Sequence, residues 1–148
     1  MFTKPSLMLR TAIGKGVGFA IGLLGLVLLP FVVSEASWMI RIGVLLWYTT
    51  VGGVIGVFGV FTWHPVLHLP MPWWFRSTLV GAWMNFVLTL FTYDTFAAMM
   101  GDVSSKVFGD PMLMASPFWF VLEGALVGLL IGYLATRFGG EGKETVDR

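Results

Sequence analysis

The chain has no cysteine, only two histidines and little charge, with 11% of its 148 residues being Asp, Glu, Lys or Arg. The first absence excludes a disulfide framework, a thiolate nucleophile and any cysteine-ligated metal. There is no HExxH, no GxSxG and no clustered set of histidines and carboxylates, so neither an enzyme nor a bound cofactor or metal is expected. The low charge excludes an ordinary soluble domain, in which about a quarter of residues are ionised. Nine basic against eight acidic residues give a net charge of +1. No basic stripe follows a phosphate backbone, so nucleic acid is not expected as a partner.

What is present is apolar surface. Hydrophobic residues make up 57% of the sequence, and mean hydropathy is +0.85. A helix needs about 20 residues to cross a hydrocarbon core, and the stretches Gly16 to Ser34 and Ile42 to Trp63 meet that length without an ionised residue. Ser77 to Met100 is interrupted by Asp94, and Pro117 to Thr136 by Glu123. The expectation is therefore an all-α integral membrane protein. A single domain, 1–138, is a tight four-helix bundle with spans at 12–33, 38–63, 74–100 and 117–138. A polar, glycine-rich tail, 139–148, is expected to be disordered. Pro30 falls in the last turn of the first span, Ser37 is placed to cap the second, and Ser116-Pro117 reads as N-cap and first helical position of the fourth.

A cleaved signal peptide is the competing reading of the first span, since Lys4 and Arg10 precede it and Ser34-Glu35-Ala36 follows. Against it, the run exceeds a typical signal core and carries glycines at packing spacing. Lys4, Arg10, Lys15, Arg76, Arg137, Lys143 and Arg148 all fall on one side of a four-span topology, leaving Arg41 and Lys106 on the other. This predicts that both termini are cytoplasmic, in a multi-pass protein of a bacterial inner or plasma membrane.

The link from Trp63 to Phe75 carries Pro65, Pro70 and Pro72, with tryptophans at both ends, and reads as a stiff interfacial strap. His64 and His68 are four apart. Pro65 spoils the helical geometry that would bring them together as ligands, so anchoring is the expected role.

Small residues recur every four positions: Gly14, Gly18 and Gly22; Gly52 and Gly56; Ser77, Gly81 and Asn85; Gly124, Gly128 and Gly132. Such ridges let helices approach closely where lipid gives no hydrophobic drive to association. They serve packing within one chain, or, at the three glycines of the last span, contact with a second copy. Trp47 to Gly56 also aligns with Trp119 to Gly128 at an offset of 72 residues, which suggests a repeated hairpin or chance agreement between glycine-rich segments.

Ionisable residues at membrane depth are costly and mark sites. Asp94 and Glu123 each lie six residues from a span end, about 9 Å inside the same boundary, and Arg41 starts at that surface on the glycine face of its helix. The expected site is a buried cluster of Arg41, Asp94 and Glu123, in which the arginine pairs with one carboxylate and a proton neutralises the other. Asp94 falls opposite Asn85, so the third helix is expected to need protein contact on both faces. Tyr48, Thr49, Thr50, Asn85, Thr89, Thr92 and Tyr93 are candidates for a polar pathway. This pattern predicts a proton-coupled transporter or channel protomer. The alternatives are a structural cluster, or an accessory subunit of a larger membrane complex with no transport of its own.

Overall fold

The glycine ridges decide which helices pair. The computed structural model describes residues 5–34 and 36–146. Among them it contains five α-helices and no strand: α1 (Leu7–Val32), α2 (Trp38–Phe58), α3 (Trp73–Phe91), α4 (Tyr93–Phe108) and α5 (Trp119–Gly139), followed by a 3-10 turn at Lys143–Thr145. Lys4 and Arg148, two of the cations assigned to the cytoplasmic side, and Glu35 of the candidate cleavage site lie outside the described residues, as does Asp147 of the tail. Helices α1, α2 and α5 are long and apolar enough to cross a membrane. Helix α3 has the length, 19 residues, but Arg76, Ser77 and Asn85 dilute its hydropathy.

The bundle is two antiparallel hairpins, α1 on α2 and α3 on α5, laid side by side. In the first, Gly14 and Gly18 lie against the backbone of Gly52 and Tyr48, and Gly22 against Leu45. In the second, Gly81 lies against Gly124 and Gly128, and Ser77 against Gly128 and Gly132. A β-carbon at any of these crossings would enter the facing backbone or side chain, so the close approach depends on glycine. Gly124, Gly128 and Gly132 of α5 are buried against α3. The ridge considered for contact with a second copy is thus filled within the chain. Between the hairpins, Val51, Ile55 and Ile131 form the apolar core.

The two hairpins share a register. Gly14 meets the Gly52 carbonyl and Gly81 meets the Gly124 carbonyl; Gly56 meets the Arg10 carbonyl and Gly128 meets the Ser77 carbonyl. Helix α2 therefore corresponds to α5 at the offset of 72 residues seen in the sequence. Helix α1 corresponds to α3 at 67 (Gly14 to Gly81), an offset that a search at 72 does not find.

Several boundaries differ from expectation, beginning with α1, which starts at Leu7 rather than 12. The span expected at 74–100 is two helices, broken at Thr92 (φ −122°, ψ 27°). Thr89 and Thr92 turn their hydroxyls back to the carbonyls of Asn85 and Leu88, a competition that weakens a helix at its end. Helix α4 then continues through the expected loop to Gly109, whose φ of 75° is the left-handed stop that glycine accepts without strain. Helix α2 ends at Phe58 rather than 63. Helix α5 starts at Trp119, so Ser116 is not its N-cap but accepts from the Trp119 N–H within a preceding turn. Ser37 does cap α2, accepting from the Ile40 N–H at 3.3 Å.

The link between α2 and α3 folds on itself through a bridge between Trp63 and Pro70. Its turn is held by His64 Nδ1, which accepts from the backbone N–H groups of Val66 and Leu67.

Candidate functional site

At the end of the bundle away from the termini, the two hairpins part and leave a cavity of about 480 Å³. Its walls are mostly apolar, among them Leu29, Ile40, Val44, Leu88 and Met99. Phe96 of α4 closes one side by stacking on Phe120 with ring centroids 4.2 Å apart. Tyr48, Asn85, Trp47 and Glu123 bring polar atoms to this lining, and Glu123 is its one ionisable acid.

These four side chains form one hydrogen-bonded unit. Trp47 donates from Nε1 to Asn85 Oδ1 at 2.9 Å. Indole nitrogen only donates, so this contact fixes which way the amide faces. Asn85 Nδ2 then donates to the Phe120 carbonyl at 2.8 Å and to Glu123 Oε2 at 2.9 Å. The Tyr48 hydroxyl donates to the same Oε2. Both donors converge on one carboxylate oxygen, and among the described residues no group donates to Oε1. Asn85 is 2% exposed and Tyr48 8%. A partly satisfied acid against buried, pre-oriented donors in an apolar cavity is the arrangement from which binding sites are built.

The local sequence produces this unit. Asn85 occupies the register position in α3 that Gly18 occupies in α1, so its amide reaches the Phe120 carbonyl where Gly18 meets the Tyr48 carbonyl. Gly124, next to Glu123, leaves room for the Asn85 side chain.

The expected cluster is not assembled. Among the described residues Arg41 pairs with no carboxylate: its Nε donates to the Leu26 carbonyl at 2.9 Å and its guanidinium lies 4.6 Å from the Trp38 ring centre. The reason is Pro30, which has no N–H, so the Leu26 carbonyl one turn earlier loses its helical donor and takes the arginine instead. Asp94 is exposed in the first turn of α4, where a carboxylate favours the positive end of the helix dipole. The face assigned to Asp94 assumed an unbroken helix, and the break at Thr92 removes it.

The polar pathway candidates divide. Tyr48, Asn85 and Thr92 line the cavity with Glu123. Thr89 is fully buried and bonded to the Asn85 carbonyl. Thr49 and Thr50 bond to carbonyls of their own helix and line a different groove. Tyr93 is about half exposed and packs edge-on against Phe118.

A second polar cluster, which the sequence reading passed over, closes the opposite end. Arg10 is 1% exposed and Arg76 4%. Arg10 donates to the Gly56 carbonyl at 3.0 Å, to Thr136 Oγ1 at 2.9 Å and to the Gly140 carbonyl. Arg76 donates to the Phe61 carbonyl at 2.6 Å and pairs with Glu141. The segment 140–146, expected to be disordered, is therefore packed: Gly142 N–H bonds to the Gly59 carbonyl at 2.9 Å, and Ser6 N–H to the Gly139 carbonyl at 3.2 Å. The available signal was spacing, because Arg10 lies four residues before Gly14 on the same buried ridge as Gly18 and Gly22.

Comparison with protein-family models, with curated proteins and with solved structures found no match to this chain.

Proposed function

We propose that the chain is a membrane transport protein that crosses the bilayer four times, through α1, α2, α3 and α5, with both termini cytoplasmic. In this reading α3 is the fourth span. Its 19 residues measure about 28 Å, and its polar stripe is covered by α5 rather than by lipid. Helix α4 lies at the outer surface. The basic residues gathered at the termini's end support the orientation.

The observation that carries the functional reading is the convergence of Tyr48, Asn85 and Trp47 on Glu123 inside the cavity. Two donors hold Oε2, and Oε1 is left to carry a proton or to meet a ligand. An organic cation with an apolar body fits the chemistry: the walls receive the body, and the carboxylate receives the charge as its proton leaves. One proton out for one positive charge in keeps the buried site neutral, which avoids the cost of an uncompensated charge. The buried arginines and the tail seal the far end, so the cavity as described opens away from the termini.

The test is proton exchange in proteoliposomes that hold a pH-sensitive dye, driven by a gradient of an organic cation such as ethidium. Wild-type protein is expected to move protons in the direction opposite to the cation. Glu123→Gln, which keeps the shape and the hydrogen-bond acceptor, is expected to insert normally and abolish the exchange. Equal exchange in both proteins sinks the proposal.

A further inference from the structure

A second groove runs along the seam of α1 and α2 toward the end where the termini lie. It encloses about 560 Å³, and its lining includes Thr11, Lys15, Thr49, Gly53, Val57 and Phe58. Its chemistry differs from that of the cavity. Thr49 and Thr50 spend their hydroxyls on the carbonyls of Leu45 and Leu46, at 2.8 and 2.9 Å, so neither has its donor free for a ligand. Phe58 and Val57 extend the apolar wall to the end of α2.

Lys15 is the exception. It is exposed, two turns into α1, and has no acidic partner among the described residues, whose ion pair is Arg76 with Glu141. Its stem lies on Gly53, where an added β-carbon would come within 3.0 Å of the lysine Cε. The missing side chain is what makes the bed. Side chains on a helix lean toward its N-terminus, so the Lys15 ammonium is carried toward the nearer surface, past Thr11 one turn below. The Thr11 hydroxyl has no hydrogen-bond partner among the described residues. Lys15 lies about 12 Å along the axis from the start of α1, and a lysine stem recovers much of that depth by reaching to the headgroup layer.

We infer that this groove binds one anionic phospholipid from the leaflet at the termini's end. Lys15 and Thr11 hold the phosphate, and an acyl chain lies along Val57 and Phe58. A lipid is favoured over free phosphate because the cation stands at the mouth of an apolar groove, and only a lipid fills both. The inference rests on the proposed membrane embedding but not on the chemistry of Glu123, which lies elsewhere.

The experiment is native mass spectrometry of the full chain released from nanodiscs of equimolar phosphatidylcholine and phosphatidylglycerol. Wild-type protein is expected to retain a single phosphatidylglycerol at about fivefold excess over phosphatidylcholine, the preference that one lysine near an anionic headgroup supplies. Lys15→Gln is expected to erase that preference, and Lys15→Arg to keep it. Both change an exposed flank, so folding and proton exchange should be unaltered, which separates a failure here from a failure of the transport reading. Equal retention of the two lipids by wild-type protein overturns the inference. So does a preference that survives Lys15→Gln, or release of the lipid by millimolar inorganic phosphate.

Discussion

Arg41 shows how a charge within an apolar chain is met by a backbone atom: among the described residues no carboxylate pairs with it. Pro30 removes one helical N–H, the Leu26 carbonyl is left without its donor, and the Arg41 guanidinium fills the gap from the facing helix at 2.9 Å. Arg41→Ala should therefore cost about 1–3 kcal/mol, the range for leaving a buried acceptor unsatisfied. In a Pro30→Ala background, where residue 30 again donates to Leu26, the same substitution should cost clearly less. A double-mutant cycle from urea unfolding in micelles measures the difference, and an additive result would refute the pairing. That Arg41 faces protein was legible from its alignment with Gly52 and Gly59. Its partner was not, because residue types mark carboxylates, whereas this acceptor is a main-chain carbonyl freed by a proline eleven residues earlier. Asn85 makes the complementary case. It serves Trp47, Phe120 and Glu123 together, so Asn85→Leu leaves an indole N–H and a carbonyl unpaired at once. A loss of about 2–6 kcal/mol is expected for two such groups, with a shift in Trp47 fluorescence as a local readout.

At the scale of helices, the glycines separate into those that carry contact and those that do not. Gly52 and Gly81 lie against facing carbonyls, whereas Gly16 and Gly43 meet nothing within 4 Å. Replacing Gly52 or Gly81 with Ala should force the two helices of its hairpin apart and cost about 1–3 kcal/mol, as overpacking does. Gly16→Ala should be neutral or stabilising by up to about 1 kcal/mol, through helix propensity alone. Thermal unfolding of the three variants in one detergent checks the ordering, and a destabilised Gly16→Ala would mean that the face is occupied. The ridges, and hence the tight pairing of helices, were legible because a spacing of four leaves a clear mark. The correspondence between hairpins was only half legible, since the offset changes from 72 to 67 between the paired helices. The break at Thr92 was hidden because apolar composition runs through it without change. The back-bonding of Thr89 and Thr92 to Asn85 and Leu88 bends the helix there, although the Thr92 N–H still reaches the Leu88 carbonyl, and this broken helix is what displaced Asp94 from the expected site.

For the molecule as a whole, the opposite ends are built on different electrostatics. The cavity itself holds one acid, Glu123, among neutral donors. The termini's end buries two guanidiniums with one carboxylate, Arg10 and Arg76 with Glu141, an imbalance that would be costly if carboxylates alone compensated charge. The remaining compensation comes from main chain. The Gly56 carbonyl lies in the last turn of α2, and those of Phe61 and Gly140 lie just beyond α2 and α5, where the helix dipoles are negative. Because the tail supplies both Glu141 and the Gly140 carbonyl, it acts as a clamp holding the two hairpins together at the end where α1, α2 and α5 meet. Removing the carboxylate should then cost more than an ordinary surface pair. Glu141 is 30% exposed and Arg76 4%, so Glu141→Ala should lose about 2 kcal/mol, less than the 3–5 kcal/mol typical of breaking a fully buried pair. The doubly changed Glu141→Ala, Arg76→Leu protein should recover part of that loss, since Arg76 is then no longer a buried charge without its carboxylate, while Arg10 keeps its carbonyl and threonine acceptors. Limited proteolysis gives an independent reading: Glu141→Ala alone should expose the peptide bonds around Gly140 to cleavage while the cavity end stays protected. An unfolding midpoint and a cleavage rate both unchanged by Glu141→Ala would show that the tail rests on the bundle without holding it.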